Sequence, residues 1–112
     1  MIVEERMGDV IVEIVNVERA SVAEANELKE HLMDAMDDGY KKIIVDLSEC
    51  DFVDSSFLGV LVNSLKKVVK LEGDLKLVGF RPAVRSMFEL TRLFRVFESF
   101  GNLQEAVKSY TH

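Results

Sequence analysis

Residues 43–62 read IIVDLSECDFVDSSFLGVLV. The opening Ile43-Ile44-Val45-Asp46-Leu47 is short, β-branched and continuously apolar apart from one aspartate. That pattern predicts a central strand covered on both faces, because a half-exposed strand would alternate. Asp54, Ser55 and Ser56 then precede a second apolar run. Side-chain oxygens of these types accept the orphan N–H groups of a helix start. A helix is therefore predicted from about Ser55 to Leu71, with Leu58, Leu61, Val62, Leu65, Val68 and Val69 inward. Asn63, Lys66, Lys67 and Lys70 fall on its outer face, the lysines near the negative pole of the helix dipole. Strand, loop and helix in this order form a crossover unit of an α/β fold. Functional loops of such sheets gather at the carboxyl ends of the strands, where residues 48–56 lie.

The flanks extend the same pattern. Upstream, Ile2–Glu5 and Val10–Val15 read as strands joined around the turn signal Met7-Gly8-Asp9. Ser21 is a candidate cap for a first helix with Val22, Ala25, Leu28, Leu32, Ala35 and Met36 as its buried stripe, closed by Gly39. His31 falls beside that stripe, next to Glu27 and Glu30, where a solvated histidine is expected. Downstream, Glu72-Gly73-Asp74 is a turn and Leu75–Phe80 a strand. Pro82 opens a third helix with Val84, Met87, Phe88 and Thr91 inward. A short last strand is expected at about Arg95–Phe97, and Gly101-Asn102 opens a final helix carrying Leu103, Ala106, Val107 and Tyr110. The predicted order is β-β-α-β-α-β-α-β-α, an α/β domain over residues 1–112 with a mixed, mostly parallel sheet.

Composition narrows the function. The chain has 112 residues and a formal net charge of -6. An acidic surface argues against a nucleic-acid binder, which needs a basic face to displace counterions, and favours a partner with a basic patch. Cys50 is the single cysteine, so neither an intrachain disulfide nor a thiolate metal cluster is available. His31 and His112 are the two histidines, and neither sits in a metal-ligand spacing, so no metal or other cofactor is expected. The start MIVEERMGDV is acidic where a signal peptide would be basic, and the longest apolar run, Phe57–Val62, is far short of a membrane span. A cytoplasmic protein is expected.

The serines admit two readings. They cap a helix, or one of them is a phosphorylation site. A phosphate at a helix start meets free N–H groups and the positive dipole pole, so it leaves the helix standing while adding dense negative charge to the loop. Serine hydrolysis lacks a histidine base nearby and a Gly-x-Ser-x-Gly elbow. Asp46 suggests a phosphoaspartate acceptor, but Val15-Asn16-Val17-Glu18 supplies one carboxylate where that chemistry needs an acidic cluster. Asp46, Asp51 and Asp54 could hold a hard cation, although solvated loop carboxylates are the expectation. No phosphate-binding glycine motif is present. Phe57 either plugs the core or presents an aromatic docking face beside the serines, as interface anchors do.

The segment IIVDLSECDFVDSSFLGVLV resembles the strand, loop and Asp-Ser-Ser/Thr-Gly-Leu-Gly helix start of the anti-sigma factor antagonists, the stand-alone form of the STAS domain. The later LKLVGFRPAVRSMFELTRLFRVF is similar to the family's fourth strand, Pro-capped helix and final strand, and the resemblance spans essentially the whole chain. It implies partner switching without catalysis. The unphosphorylated protein would bind an anti-sigma factor that is itself a serine kinase, and so free a sigma factor. Phosphorylation of the serine after the motif aspartate would end that binding, and a serine phosphatase would restore it. By position that serine is Ser55, preceded by Asp54, with Ser56 as the second Ser/Thr. Phe57 stands where the family has glycine, and Asn16-Val17-Glu18-Arg19 where it often has Gly-x-Leu-Asp, which places Glu18 and Arg19 on the expected docking face. A monomer is the family's expectation. The alternative within the same fold is an unphosphorylated interaction or sensing module that docks through Phe57.

Overall fold

The computed structural model describes residues 1–111. His112 lies outside the described residues. Strands β1 (Ile2–Met7) and β2 (Val10–Val15) form a hairpin in which Met7 faces Val10 across the two-residue Gly8-Asp9 turn. Gly8 takes φ 64, a left-handed conformation that glycine adopts at no steric cost. A two-residue strand β3 (Arg19–Ala20) leads into helix α1 (Val22–Asp37). The rest of the chain runs β4 (Lys42–Asp46), β5 (Phe52–Val53), α2 (Ser55–Lys70), β6 (Asp74–Val78), α3 (Pro82–Leu90), β7 (Ser99–Phe100) and α4 (Leu103–Ser109).

The main sheet has the order β1-β2-β4-β6-β7, with β1 antiparallel and every other pairing parallel. Strand β4 is central, and Ile43, Ile44 and Val45 are all fully buried. Ile43 and Val45 join the core beneath α1, α2 and α3, while Ile44 joins a smaller core with Val10, Val12, Val78 and Ala106 of α4. Helices therefore cover both faces, as the continuous apolar run requires. The Tyr110 hydroxyl lies 2.9 Å from the carbonyls of both Ile43 and Asp74, tying the end of the chain to two strands.

Several local expectations are corrected. Val22 and Val69 are exposed at the rims of their helices, and exposed Thr91 donates its hydroxyl to the Met87 carbonyl at 2.8 Å. The last strand is Ser99–Phe100, not Arg95–Phe97. Leu93–Arg95 form a 3-10 turn, and Phe97 turns inward to stack on Phe88 at a ring distance of 6.2 Å. Burial of that aromatic ring outweighs the β-like local pattern. His31 is not solvated: it is half-buried, with Nδ1 2.8 Å from Oε1 of the fully buried Glu13.

Candidate functional site

The carboxyl ends of β2, β4 and β6 deliver three segments to one edge of the fold. Leu47 continues from β4 and donates its N–H to the Val78 carbonyl at 2.8 Å. The segment 48–53 then folds back along the loop after β2. Asp51 and Phe52 donate their N–H groups to the Glu18 carbonyl at 2.7 and 3.0 Å, and Asp54 donates to Ala20 at 3.0 Å. These bonds surround the small parallel sheet in which Arg19 pairs with Phe52 and Ala20 with Val53. The Arg19 guanidinium also lies over the Phe52 ring, 4.3 Å from its centroid. Glu18 and Arg19, both exposed, are thus brought beside the segment that opens α2.

Asp54 is the cap of α2: its side chain accepts the Phe57 N–H at 2.9 Å, and its carbonyl accepts Leu58 N–H at 3.1 Å. Ser55 and Ser56 occupy the first turn and are both exposed. Their backbone N–H groups have no protein partner among the described residues. Two unpaired donors at the positive end of a helix therefore lie beside two exposed hydroxyls. Phe57 differs. Its side chain is completely buried in the main core, so the docking-face reading of Phe57 is corrected. The next residues explain why: Phe57, Leu58 and Leu61 are all buried, so the third helical position lies on the inner stripe.

The other candidates are already engaged. Asp46 accepts the Ser48 N–H at 2.9 Å and its hydroxyl, a local turn that spends the carboxylate on the backbone. Asp51 pairs with Arg81 Nη1 at 2.9 Å, and Asp54 caps α2, so Asp46, Asp51 and Asp54 do not converge on a cation among the described residues. Cys50 is buried with its thiol 3.7 Å from the Val15 carbonyl, and burial pushes the thiol up to about 11. That removes it as a nucleophile at neutral pH.

Arg81, which the sequence reading passed over, organises the loop. Its Nε donates to the Ser48 carbonyl at 2.8 Å, while its other nitrogens reach Asp51 and, at 3.4 Å, Glu49. Hydrogen bonding to Asp51 raises the guanidinium above its ordinary range. The approach depends on Gly79, at φ 72, where any Cβ would collide with Ser48. The available signal was Gly79-Phe80-Arg81-Pro82 directly after a strand that neighbours β4.

The comparisons with known proteins agree with this architecture. The STAS domain family model matches residues 2–106. A Thermotoga neapolitana protein, whose name places it among the anti-sigma factor antagonists, is 32% identical over 101 residues, covering 89% of this chain and 88% of that one. The crystal structure of an anti-sigma factor antagonist candidate from Thermotoga maritima superposes with a TM-score of 0.88 at 28% identity, covering 96% of this chain and 92% of that one. The Bacillus anti-sigma factor antagonist SpoIIAA in its unphosphorylated form gives 0.86 at 18% identity, covering 98% and 96%, a likeness of fold. No helix among the described residues is long and apolar enough to cross a membrane. The chain belongs to the STAS domain family, with anti-sigma factor antagonists as its relatives.

Proposed function

We propose that this protein is an anti-sigma factor antagonist controlled by phosphorylation of Ser55. Unphosphorylated, it binds an anti-sigma factor that is a serine kinase and so releases a sigma factor. The kinase phosphorylates Ser55 and ends the complex, and a serine phosphatase restores it. The protein acts as binding partner and substrate, and catalyses nothing itself. One observation carries this reading: Ser55 is exposed in the first turn of α2, directly after the cap Asp54, and the strand that leads into that helix pairs with Arg19–Ala20. SpoIIAA, of the same fold, has been solved in a phosphorylated form as well.

The docking surface comprises Glu18, Arg19, Asp54, Ser55 and Ser56, with Arg81 holding the loop behind it. Phe57 contributes from below by packing the helix start into the core. A phosphate on Ser55 adds about two negative charges beside Asp54. The fold is unaltered, because a helix N-terminus accommodates an anion, and the partner meets a changed surface. The test pairs the protein with its anti-sigma factor kinase and ATP. Mass spectrometry should place one phosphate on Ser55. Ser55→Asp should weaken the complex at least ~10-fold, in the range of interface charge effects, and Ser55→Ala should bind yet resist dissociation by ATP. Phosphate on another residue, or undiminished binding by Ser55→Asp, sinks the assignment.

A further inference from the structure

The β1–β2 hairpin places two carboxylates in direct opposition, because its register pairs Glu4 with Glu13. Like charges directly opposite on a strand pair repel. Glu13 shares the sheet face of Ile11 and Val15, beneath α1, and its side chain has no solvent exposure. α1 lays His31 over the pair, with Nδ1 2.8 Å from Glu13 Oε1 and 3.9 Å from Glu4 Oε1. The second Glu13 oxygen, Oε2, is buried and has no hydrogen-bond partner among the described residues. A native fold rarely leaves such an oxygen unsatisfied.

The three donor atoms lie within 4.8 Å of one another. A tetrahedral ion with ligands at about 2.0–2.2 Å holds its donors roughly 3.4 Å apart. The two imidazole-to-carboxylate distances straddle that value. The surroundings fit as well. Glu27 Oε2 lies 3.9 Å from His31 Nε2 and is itself anchored by the Ile2 N–H at 3.1 Å. A carboxylate behind an imidazole selects the tautomer whose other nitrogen presents its lone pair to a metal. Arg6 holds Glu4 Oε2 at 3.0 Å, which leaves Oε1 turned to His31. Glu4, Glu13 and Glu27 thus gather around one imidazole, with Arg6 paired to Glu4.

We propose that Glu4, Glu13 and His31 form a binding site for a divalent cation of the zinc class, which clamps α1 to the hairpin at the edge of the sheet. Imidazole beside carboxylates, with three protein ligands and a fourth position for water, suits zinc or cobalt. Calcium and magnesium favour more oxygen donors. The site is independent of Ser55 and of the proposed partner.

The test titrates the full chain, stripped with chelator and dialysed, with zinc and cobalt by calorimetry and visible spectroscopy. One equivalent should bind, the cobalt spectrum should be that of a low-coordinate site, and zinc should displace it. Glu13→Gln and His31→Asn should reduce binding at least ~100-fold, and Glu27→Gln by about 10–100-fold. Should either ligand variant fail to fold, the imidazole nitrogen resonances of the wild type decide: zinc should move His31 Nδ1. No zinc binding by the wild type overturns the proposal, leaving a shared proton between His31 and Glu13. So does undiminished binding by both ligand variants, equal binding of magnesium, or an unmoved Nδ1 resonance.

Discussion

Glu13→Gln, measured without metal, isolates the cost of the buried carboxylate. Burial raises the Glu13 carboxyl from 4.5 to about 7, against the opposing hydrogen bond from His31 and with reinforcement from Glu4. The sign follows from proton binding. Between about pH 4.5 and 7 the folded protein holds a proton on Glu13 that the unfolded chain has released, so stability falls as pH rises through that window. The difference, at about 1.4 kcal/mol per pH unit, comes to about 3 kcal/mol, lost by the time the folded carboxyl has ionised. Glutamine keeps the shape and has no proton to lose. Urea unfolding in chelator at pH 5 and pH 8 should therefore show the wild type losing roughly 2–3 kcal/mol more than Glu13→Gln over that interval. The other shifted carboxylates, Asp9 and Glu24, are lowered, so their contributions change only in more acid solution. Parallel pH dependence in the two proteins would refute the assignment of the burial cost to Glu13.

Two further outcomes test the helix that carries the serines. Phe57→Ala should destabilise by about 3–5 kcal/mol in urea unfolding, the range for a fully buried aromatic, and a loss below about 1 kcal/mol would contradict its place in the core. Asp54→Ala removes the acceptor for Phe57 N–H and should cost about 1 kcal/mol, with Asp54→Asn recovering most of it; equal losses in both variants would mean that the cap is not what matters.

How much of this was legible in the sequence depends on the range of the cause. Ile43–Leu47 and the capped run behind Asp54 are local patterns, and both elements form where the pattern puts them. Strands β3 and β5 span two residues each, too few for alternation to register, yet they bring Glu18 and Arg19 to the candidate site. Arg81 was missed because its partners Ser48 and Asp51 lie 33 and 30 residues away and meet it only through the β4–β6 pairing. His31 was misread because a helical stripe says nothing of the strand beneath it. One signal did exist: Glu4 and Glu13 are equally far from the Gly8-Asp9 turn, so a two-residue hairpin already places them face to face.

On the proposed reading, the energy of the switch has to reside in the interface and not in the fold. The Phe57 N–H is taken by Asp54 and the Leu58 N–H by the Asp54 carbonyl, so the helix start is secured without either serine side chain. A phosphate on Ser55 meets the remaining first-turn donors, an interaction of at most about 1 kcal/mol at an exposed helix end. Inside a complex the same dianion must be desolvated against whatever surface received a neutral hydroxyl, and a charge buried without a partner there costs several kcal/mol. Repulsion from Asp54 is stronger in that desolvated setting than in water and so adds to the loss of binding. Phosphorylation can thus leave stability almost untouched while abolishing binding, a division that a serine inside the helix, or one needed as the cap, could not achieve. On that reading the cap Asp54 and the phosphorylated Ser55 are separate residues, so modification leaves the cap intact.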